Sequence, residues 1–429
     1  MNWISTYYRG TVVPPHDVGR RFRAARPAFR PEGPPHNLLN GVLKPLSRPL
    51  LSYPLVFWYW FFVAPALLLA FLSLRGERRR ADYVAARLAQ DVSPDALRPA
   101  TLIVPVKGYD EGLRENLAAL AGQDYPDFEL IVVAHTAADI PPGALPRRAR
   151  VVLAHGNDPN TAEKVQNLIA AVAAAPRRTE ILAFADSDGC PGPGWLRALV
   201  APLAEPGIGA STGFRWFAPV PPTFWTLLRS VWDAVSGGQL GPGDNPFVWG
   251  GAMAIRNEVF SQAAVADHWK NTISDDYSLA AAVHAAGLRV AYAPGALVPC
   301  GEHISGRRFL AWARRQMQIT RAYRPRLWGT ALVAHIFYCG GMAASIIASA
   351  RGSRLAEWAL LAQLSPGMLK GMNRATLAKA ALPQCEAWFR RHLWVHAMWV
   401  PLATWIWLAA LVSSASGRTI EWRGYRYRL

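Results

Sequence analysis

Residues 181–189 read ILAFADSDG, and the fold follows from how that stretch is read. Five apolar residues run without a polar break, as a strand buried on both faces of a sheet requires. Asp186 and Asp188 come directly after it, with Gly189 behind them. Carboxylates at the carboxyl end of a strand in an open α/β sheet point into the crevice where ligands bind. They are also the ligands that hard divalent cations take when they carry phosphates.

Two further acidic stations stand far away in the chain. TLIVPVKGYDEG (101–112) is another apolar run, closing on Lys107, Gly108 and Asp110. TISDDYSLA (272–280) opens a helical stretch with Asp275 and Asp276. These stations point to an enzyme acting on a nucleotide-linked substrate.

The rest of 100–300 alternates two periodicities. ELIVVAH (129–135) and RVVLAH (150–155) are short β-branched runs, whereas ENLAALAGQ (115–123) and AEKVQNLIAAVAAA (162–175) have helical spacing. VWGGAMAIRNEVF (248–260) reads as a glycine-broken strand entering a helix, and LRVAYAPGALVP (288–299) as a returning strand. Gly287 is placed to close the helix that begins at the Asp pair. Strands alternating with helices predict a mostly parallel sheet covered by helices, a Rossmann-like α/β domain.

Composition narrows the setting. The 429 residues are 52% hydrophobic, carry a net charge of +17 and include 18 Trp. Basic charge with many aromatics is one signature of nucleic-acid binding, but here those residues flank long apolar runs, as anchors beside a bilayer do. We therefore expect no nucleic-acid partner. Cys190, Cys300, Cys339 and Cys385 are scattered, forming neither a disulfide framework nor a zinc pattern. No signal peptide is expected, since the first apolar run comes late.

That run, Pro49–Leu74, has no charge and is long enough to cross a bilayer. Arg75–Arg80 (RGERRR) follows it, the mark of a cytoplasmic flank. Gly329–Ala350 and the Trp-rich His392–Ser414 read as further spans. Leu355–Leu369, interrupted at Ser365-Pro366-Gly367, reads as a hairpin limb or a re-entrant piece. The expected organisation has five parts. They are a flexible basic segment (1–48), a transmembrane helix (49–74), a cytosolic catalytic domain with an interfacial basic helix (75–328), C-terminal membrane segments (329–414) and a basic tail (415–429).

Several side chains can carry chemistry. Asp186 and Asp188 suit one divalent cation bridging a diphosphate. Lys107 stands on a tight turn after the first strand, and Lys164 at a helix start where phosphate is favoured. Adjacent helical residues cannot face one point, so one of Asp275 and Asp276 caps the helix while the other is available as a general base. Arg307, Arg308, Arg314, Arg315, Arg321, Arg324 and Arg326 crowd the approach to a span. Lipid headgroups explain them, as does a diphosphate gripped by Arg315 or Arg321.

Six stretches together resemble the membrane-bound GT-A glycosyltransferases of the ceramide glucosyltransferase type. They are VPVKGYDEGLRENL (104–117), GNDPNTAEKVQNL (156–168), FADSDGCPGPGWL (184–196), VWGGAMAIRNEVF, SDDYSLAAAVHAAG (274–287) and IEWRGYRYRL (420–429). The resemblance implies a UDP-sugar donor, a divalent cation (Mg or Mn) and inversion in one displacement. It puts Asp110 and Asp186 on the family's first two aspartates and Asp276 on the third, the catalytic base. Arg315 matches the start of its (Q/R)xxRW motif, whose Arg-Trp pair is here Gln318-Ile319; Trp312 and Arg321 are the nearest substitutes. The expected acidic residue after the second strand has only His135 and Asp139 to fill it.

The implied acceptor is a membrane lipid hydroxyl, a ceramide first, with glucose as the sugar. High Arg, Ala and Pro content fits a bacterial chain, and thus an inner membrane with the catalytic domain facing the cytosol. A hopanoid or glycerolipid acceptor with N-acetylglucosamine is the rival within the reaction class. A processive polysaccharide synthase shares the core but needs more spans and leans on the missing Trp. A non-catalytic nucleotide- or lipid-binding membrane protein is the rival outside it.

Overall fold

The computed structural model describes residues 53–422 and 424–429. The expected basic segment 1–48 and the first residues of the Pro49–Leu74 run lie outside them. Seven strands form the main sheet: β1 (Ala100–Pro105), β2 (Phe128–Ala134), β3 (Ala149–Leu153), β4 (Ile181–Ala185), β5 (Ile208–Phe217), β6 (Ala252–Arg256) and β7 (Arg289–Cys300). Their order is β3-β2-β1-β4-β6-β5-β7. The β1–β2, β1–β4, β2–β3 and β5–β7 pairs are parallel, while β6 runs antiparallel between β4 and β5. The mostly parallel α/β sheet is thus as expected. β5 was not anticipated: IGASTGFRWF is rich in small residues and lacks the β-branched signature of its neighbours.

Burial on both faces explains the unbroken apolar runs. Leu102, Val104, Leu130, Val132 and Ala183 enter one core, and Ile103, Ile131, Val133, Leu182 and Phe184 the other. The parallel register sets Ile103 beside both Ile131 and Phe184, so the alternation of faces is kept across three strands. Helices α2 (Leu113–Ala121), α3 (Glu163–Ala173), α4 (Trp195–Val200), α5 (Phe224–Gly237), α6 (Asn257–Gln262), α7 (Val265–His268) and α8 (Asp275–Ala285) connect the strands. Ser274 caps α8, its Oγ accepting from Tyr277 N, and Gly287 stands just past the end at φ +73°.

The long helices depart from expectation in three places. Helix α1 spans Tyr53–Leu88, so it does not stop at Leu74 but runs on through Arg75–Arg80. Arg, Glu, Ala and Leu sustain a helix, and the polar half is held by the sheet domain. There Arg80 Nε donates to Leu240 O at 2.9 Å and Tyr83 Oη to Tyr292 O at 2.6 Å. After α9 (Gly306–Tyr323) and α10 (Pro325–Ala350) comes α11 (Arg354–Ala381), one continuous helix with Pro366 inside it. The expected break at Ser365-Pro366-Gly367 is absent. The helix is braced there by α10, with Tyr338 Oη donating to Gln363 O at 2.8 Å and Gln363 Nε2 to Tyr338 O at 2.5 Å.

The expected span His392–Ser414 is not one helix. It divides into the end of α12 (Glu386–His392), α13 (Val395–Met398) and α14 (Val400–Ser414), with Pro401 in the first turn of α14. Fifteen residues reach about 22 Å, less than the ~30 Å hydrocarbon core. Among the described residues, two helices are long and apolar enough to cross a membrane, Leu55–Leu88 and Pro325–Ala350, in place of the four expected segments. Phe57, Trp58, Leu68 and Phe71 of α1 and Val333, Ile336 and Ile347 of α10 are exposed. The chain ends in a separate hairpin, β8 (Thr419–Trp422) with β9 (Tyr425–Arg428).

Candidate active site

One cleft of about 300 Å³ opens over the carboxyl ends of β1 and β4, between α3, α8 and α9. Lys107, Lys164, Asp186, Asp188, Asp275, Asp276 and Arg315 all line it. Residues separated by more than two hundred positions thus share one hollow.

Lys164 is its centre of charge. Its Nζ lies 2.8 Å from Asp186 Oδ1 and 3.1 Å from Asp275 Oδ2. Burial pulls the ammonium toward neutrality, but Asp186 and Asp275 outweigh that and hold its pKa above the ordinary lysine value. Asp275 is buried, and its carboxyl is pushed up to about 6, by desolvation first, with Asp276 and Asp186 adding to the rise and Lys164 opposing it. Asp188 is pushed up to about 7, again by burial first and then by Asp186, against the pull of Arg215.

Adjacent positions on α8 point Asp275 and Asp276 differently, as helical geometry requires. Asp275 turns to Lys164. Asp276 Oδ1 takes the Tyr277 amide at 2.7 Å and the Ser274 hydroxyl. Among the described residues its Oδ2 has no hydrogen-bond partner. One oxygen fixes the side chain and the other is available to a reacting proton.

The glycine break in 248–260 has a steric cause. A Cβ on Gly250 would stand 2.5 Å from Asp275 Oδ2 and 3.0 Å from Lys164 Nζ. A Cβ on Gly251 would stand 2.7 Å from Asp186 Oδ2. Both carboxylates therefore rest on bare backbone.

The other expected residues separate into two groups. Asp110 does not line the cleft; its Oδ2 accepts from Ser187 Oγ at 2.5 Å, which ties it to the loop between Asp186 and Asp188. Lys107 Nζ pairs with Glu163 Oε2 at 2.7 Å. Arg315 Nη1 donates to Glu421 O at 3.5 Å along the cleft rim. Arg321 is turned away, its guanidinium donating to the carbonyls of Ala415 and Gly417. Six positions along a helix amount to a rotation of about 120° from Arg315. His135 and Asp139 are not in the lining, and Asp139 instead caps the Thr136 amide at 2.9 Å.

On α9, Trp312, Arg315, Gln316 and Ile319 line the cleft at helical spacing, while Gln318 is buried. The aromatic on this wall is Trp312, seven residues or about two turns before Ile319, the position where the sequence motif places it. Two residues were not anticipated at all. Arg215 of β5 lines the cleft and is gripped by Asp233 of α5 at 2.9 and 3.0 Å, with the rings of Trp312 and Trp249 at 5.0 and 5.6 Å. No local pattern marks either residue.

The cleft has a second, apolar end. Trp232, Trp328, Leu327, Ala331, Trp407 and Leu411 line it, contributed by α5, α10 and α14. Trp232 and Trp407 stack there with centroids 4.3 Å apart.

Among the described residues no group of three or more His, Cys, Asp and Glu side chains makes a ready metal cage. Asp186 and Asp188 nonetheless fit a divalent cation that completes its shell from a bound ligand and water. Asp186 disfavours ionisation of Asp188, a repulsion that a dication removes.

This is a mostly parallel α/β sheet domain, carrying a carboxylate-lined cleft next to apolar helices. The chain belongs to glycosyl transferase family 21, whose family model matches residues 58–429. Glycosyl transfer is therefore its reaction class. No protein of curated function matches the sequence. Similar solved structures include a mannosyltransferase from Pyrobaculum calidifontis in complex with GDP-Man and Mn2+. It has 19% identity, with 85% of this chain and 98% of that chain covered, at TM-score 0.46. Another is glucosyl-3-phosphoglycerate synthase from Mycobacterium tuberculosis in complex with Mn2+, uridine-diphosphate-glucose and phosphoglyceric acid. It has 18% identity, with 54% and 81% covered, at TM-score 0.35.

Proposed function

We propose that this protein moves one sugar, glucose, from a UDP-sugar to the hydroxyl of a membrane lipid of the ceramide kind, with inversion at the anomeric carbon. One observation carries the reading: a single cleft joins a carboxylate end (Asp186, Asp188, Asp275, Asp276) to a tryptophan end (Trp232, Trp328, Trp407). The tryptophan end is built partly on α10, a helix long and apolar enough to span a bilayer. A charged donor and an amphipathic acceptor need those two surroundings at one point.

Asp186 and Asp188 would hold a divalent cation, Mg or Mn, which would supply charge neutralisation for the diphosphate leaving group. Lys107, Lys164 and Arg315 add fixed positive charge around the same group. The acceptor oxygen attacks the anomeric carbon as the bond to the diphosphate oxygen breaks. Asp276 Oδ2 takes the hydroxyl proton, and UDP departs. Asp275 positions Lys164. Asp110 holds the Asp186–Asp188 loop through Ser187. In this reading residues 75–328 form a catalytic domain on the cytosolic face of a bacterial inner membrane, where nucleotide sugars are made.

The test uses purified protein with Mn2+, radiolabelled UDP-glucose or UDP-N-acetylglucosamine, and extracted lipids. Labelled lipid that disappears with Asp276→Asn is the expected result. No product with any donor, alongside retained UDP binding, would replace the enzyme with a nucleotide-binding membrane protein. Mass spectrometry of the product names sugar and lipid together: a hexose on ceramide is expected, and an N-acetylhexosamine on a hopanoid or glycerolipid would correct both.

A further inference from the structure

The last eleven residues, expected to form only a basic tail, fold back over the cleft. Hairpin β8–β9 pairs Thr419 with Arg428, Ile420 with Tyr427, and Glu421 with Arg426. Two strands alone are marginally stable in water, so the hairpin depends on what it rests against. Ile420 and Tyr427 are buried in the core that α3 and α8 share. Glu421 and Arg426 face outward and pair at 2.7 Å.

Three contacts anchor it, each to a different wall of the cleft. Tyr427 Oη accepts from Glu163 N at 3.5 Å, at the start of α3. Lys107 Nζ, on the loop after β1, lies 4.0 Å from the centroid of the Tyr425 ring. Arg315 Nη1, on α9, reaches Glu421 O. Ile420, Tyr425 and Tyr427 are themselves part of the lining. Strand periodicity puts Tyr425 and Tyr427 on one face, with ring centroids 6.1 Å apart. Tyr427 is spent on packing, whereas Tyr425 is 48% exposed.

Cations and carboxylates account for holding a diphosphate, but they do not account for an open aromatic ring beside Lys107. A flat heteroaromatic ring attached to that diphosphate does, because a base stacks on an aromatic side chain whatever its edge pattern. The tryptophan end is supplied by α5, α10 and α14, so Tyr425 belongs to the donor side and not to the lipid side. We propose that hairpin β8–β9 is a wall of the donor site and that Tyr425 stacks on the nucleoside base, with Tyr427 bracing the hairpin on α3. This rests on the nucleotide-donor reading above.

The experiment is calorimetric titration of the full chain in detergent with UDP and, separately, with inorganic pyrophosphate, both with Mn2+ and without acceptor. Tyr425→Ala should weaken UDP by roughly 5- to 150-fold, the range for loss of one base–aromatic stack, and leave pyrophosphate unchanged. Tyr425→Phe should keep UDP affinity. In turnover, the alanine variant should raise donor KM with little change in kcat. Unchanged UDP affinity in Tyr425→Ala, or equal weakening of UDP and pyrophosphate, overturns the inference while leaving the donor reading intact. Wild-type protein that binds pyrophosphate but not UDP overturns both.

Discussion

Removing Lys164 is the sharpest perturbation of this site. Lys164→Met keeps most of the side-chain volume and deletes one charge that faces two carboxylates, at 2.8 and 3.1 Å. At an effective dielectric of about 20, each contact has a gross attraction of about 5–6 kcal/mol. Desolvation of the ions cancels part of it. Breaking a buried pair by removing one partner typically costs about 3–5 kcal/mol. We expect that loss at pH 8, where Asp186 and Asp275 are left ionised and uncompensated. At pH 5 the loss should shrink. Asp275, already pushed up to about 6, rises further without the ammonium, so protons take over its neutralising role. The assay is thermal unfolding of the cation-free protein in detergent at both pH values, with Lys164→Arg as the charge-retaining control. A Tm fall of the same size at pH 5 and pH 8 would refute the electrostatic account and leave Lys164 as packing alone.

Three further outcomes are expected. Asp276→Asn should lower kcat by about 10²–10⁴, the usual contribution of a positioned base, without changing UDP affinity; a parallel loss of UDP binding would remove the base assignment. The cation-free protein should lose stability as the pH climbs from about 4 to about 7. Asp188 and Asp275 bind their protons more tightly folded than unfolded, so deprotonation favours the unfolded chain. Asp188→Asn should flatten that slope in EDTA-treated melts, and a slope that persists unchanged would show that Asp188 is not its source. Gly250→Ala introduces a Cβ 2.5 Å from Asp275 Oδ2; overpacking of this kind costs about 1–3 kcal/mol, and activity should fall at least about tenfold as Asp275 and Lys164 are displaced. Full activity in that variant would mean the cradle is looser than its geometry.

Much of the scaffold was legible locally. β1, β2 and β4 announced themselves by unbroken apolar runs, because a strand buried on both faces has no polar alternative, whereas the largely exposed β3 was marked only by its β-branched pair Val151-Val152. Helix α8 was bounded by Ser274 and Gly287, whose capping roles depend on neighbours within four residues. Asp186 and Asp188 were visible because a strand end with two carboxylates has few other uses. The sequence alone thus determined the sheet's first half, the acidic stations and the apolar character of α1 and α10.

Tertiary structure decided the rest, and the reason is distance along the chain. Arg315 and Arg321 are equivalent as letters; only the seating of α9 turns one into the cleft and the other to the carbonyls of Ala415 and Gly417. Pro366 reads as a break until α10 lies beside it. Arg215 acquires meaning from Asp233 and four surrounding rings, none of them implied by IGASTGFRWF. Tyr425 meets Lys107 across more than three hundred residues. Caps, strands and turns are fixed by interactions within a few residues, whereas a binding site is a convergence of long-range contacts, and those exist only once the chain has closed on itself.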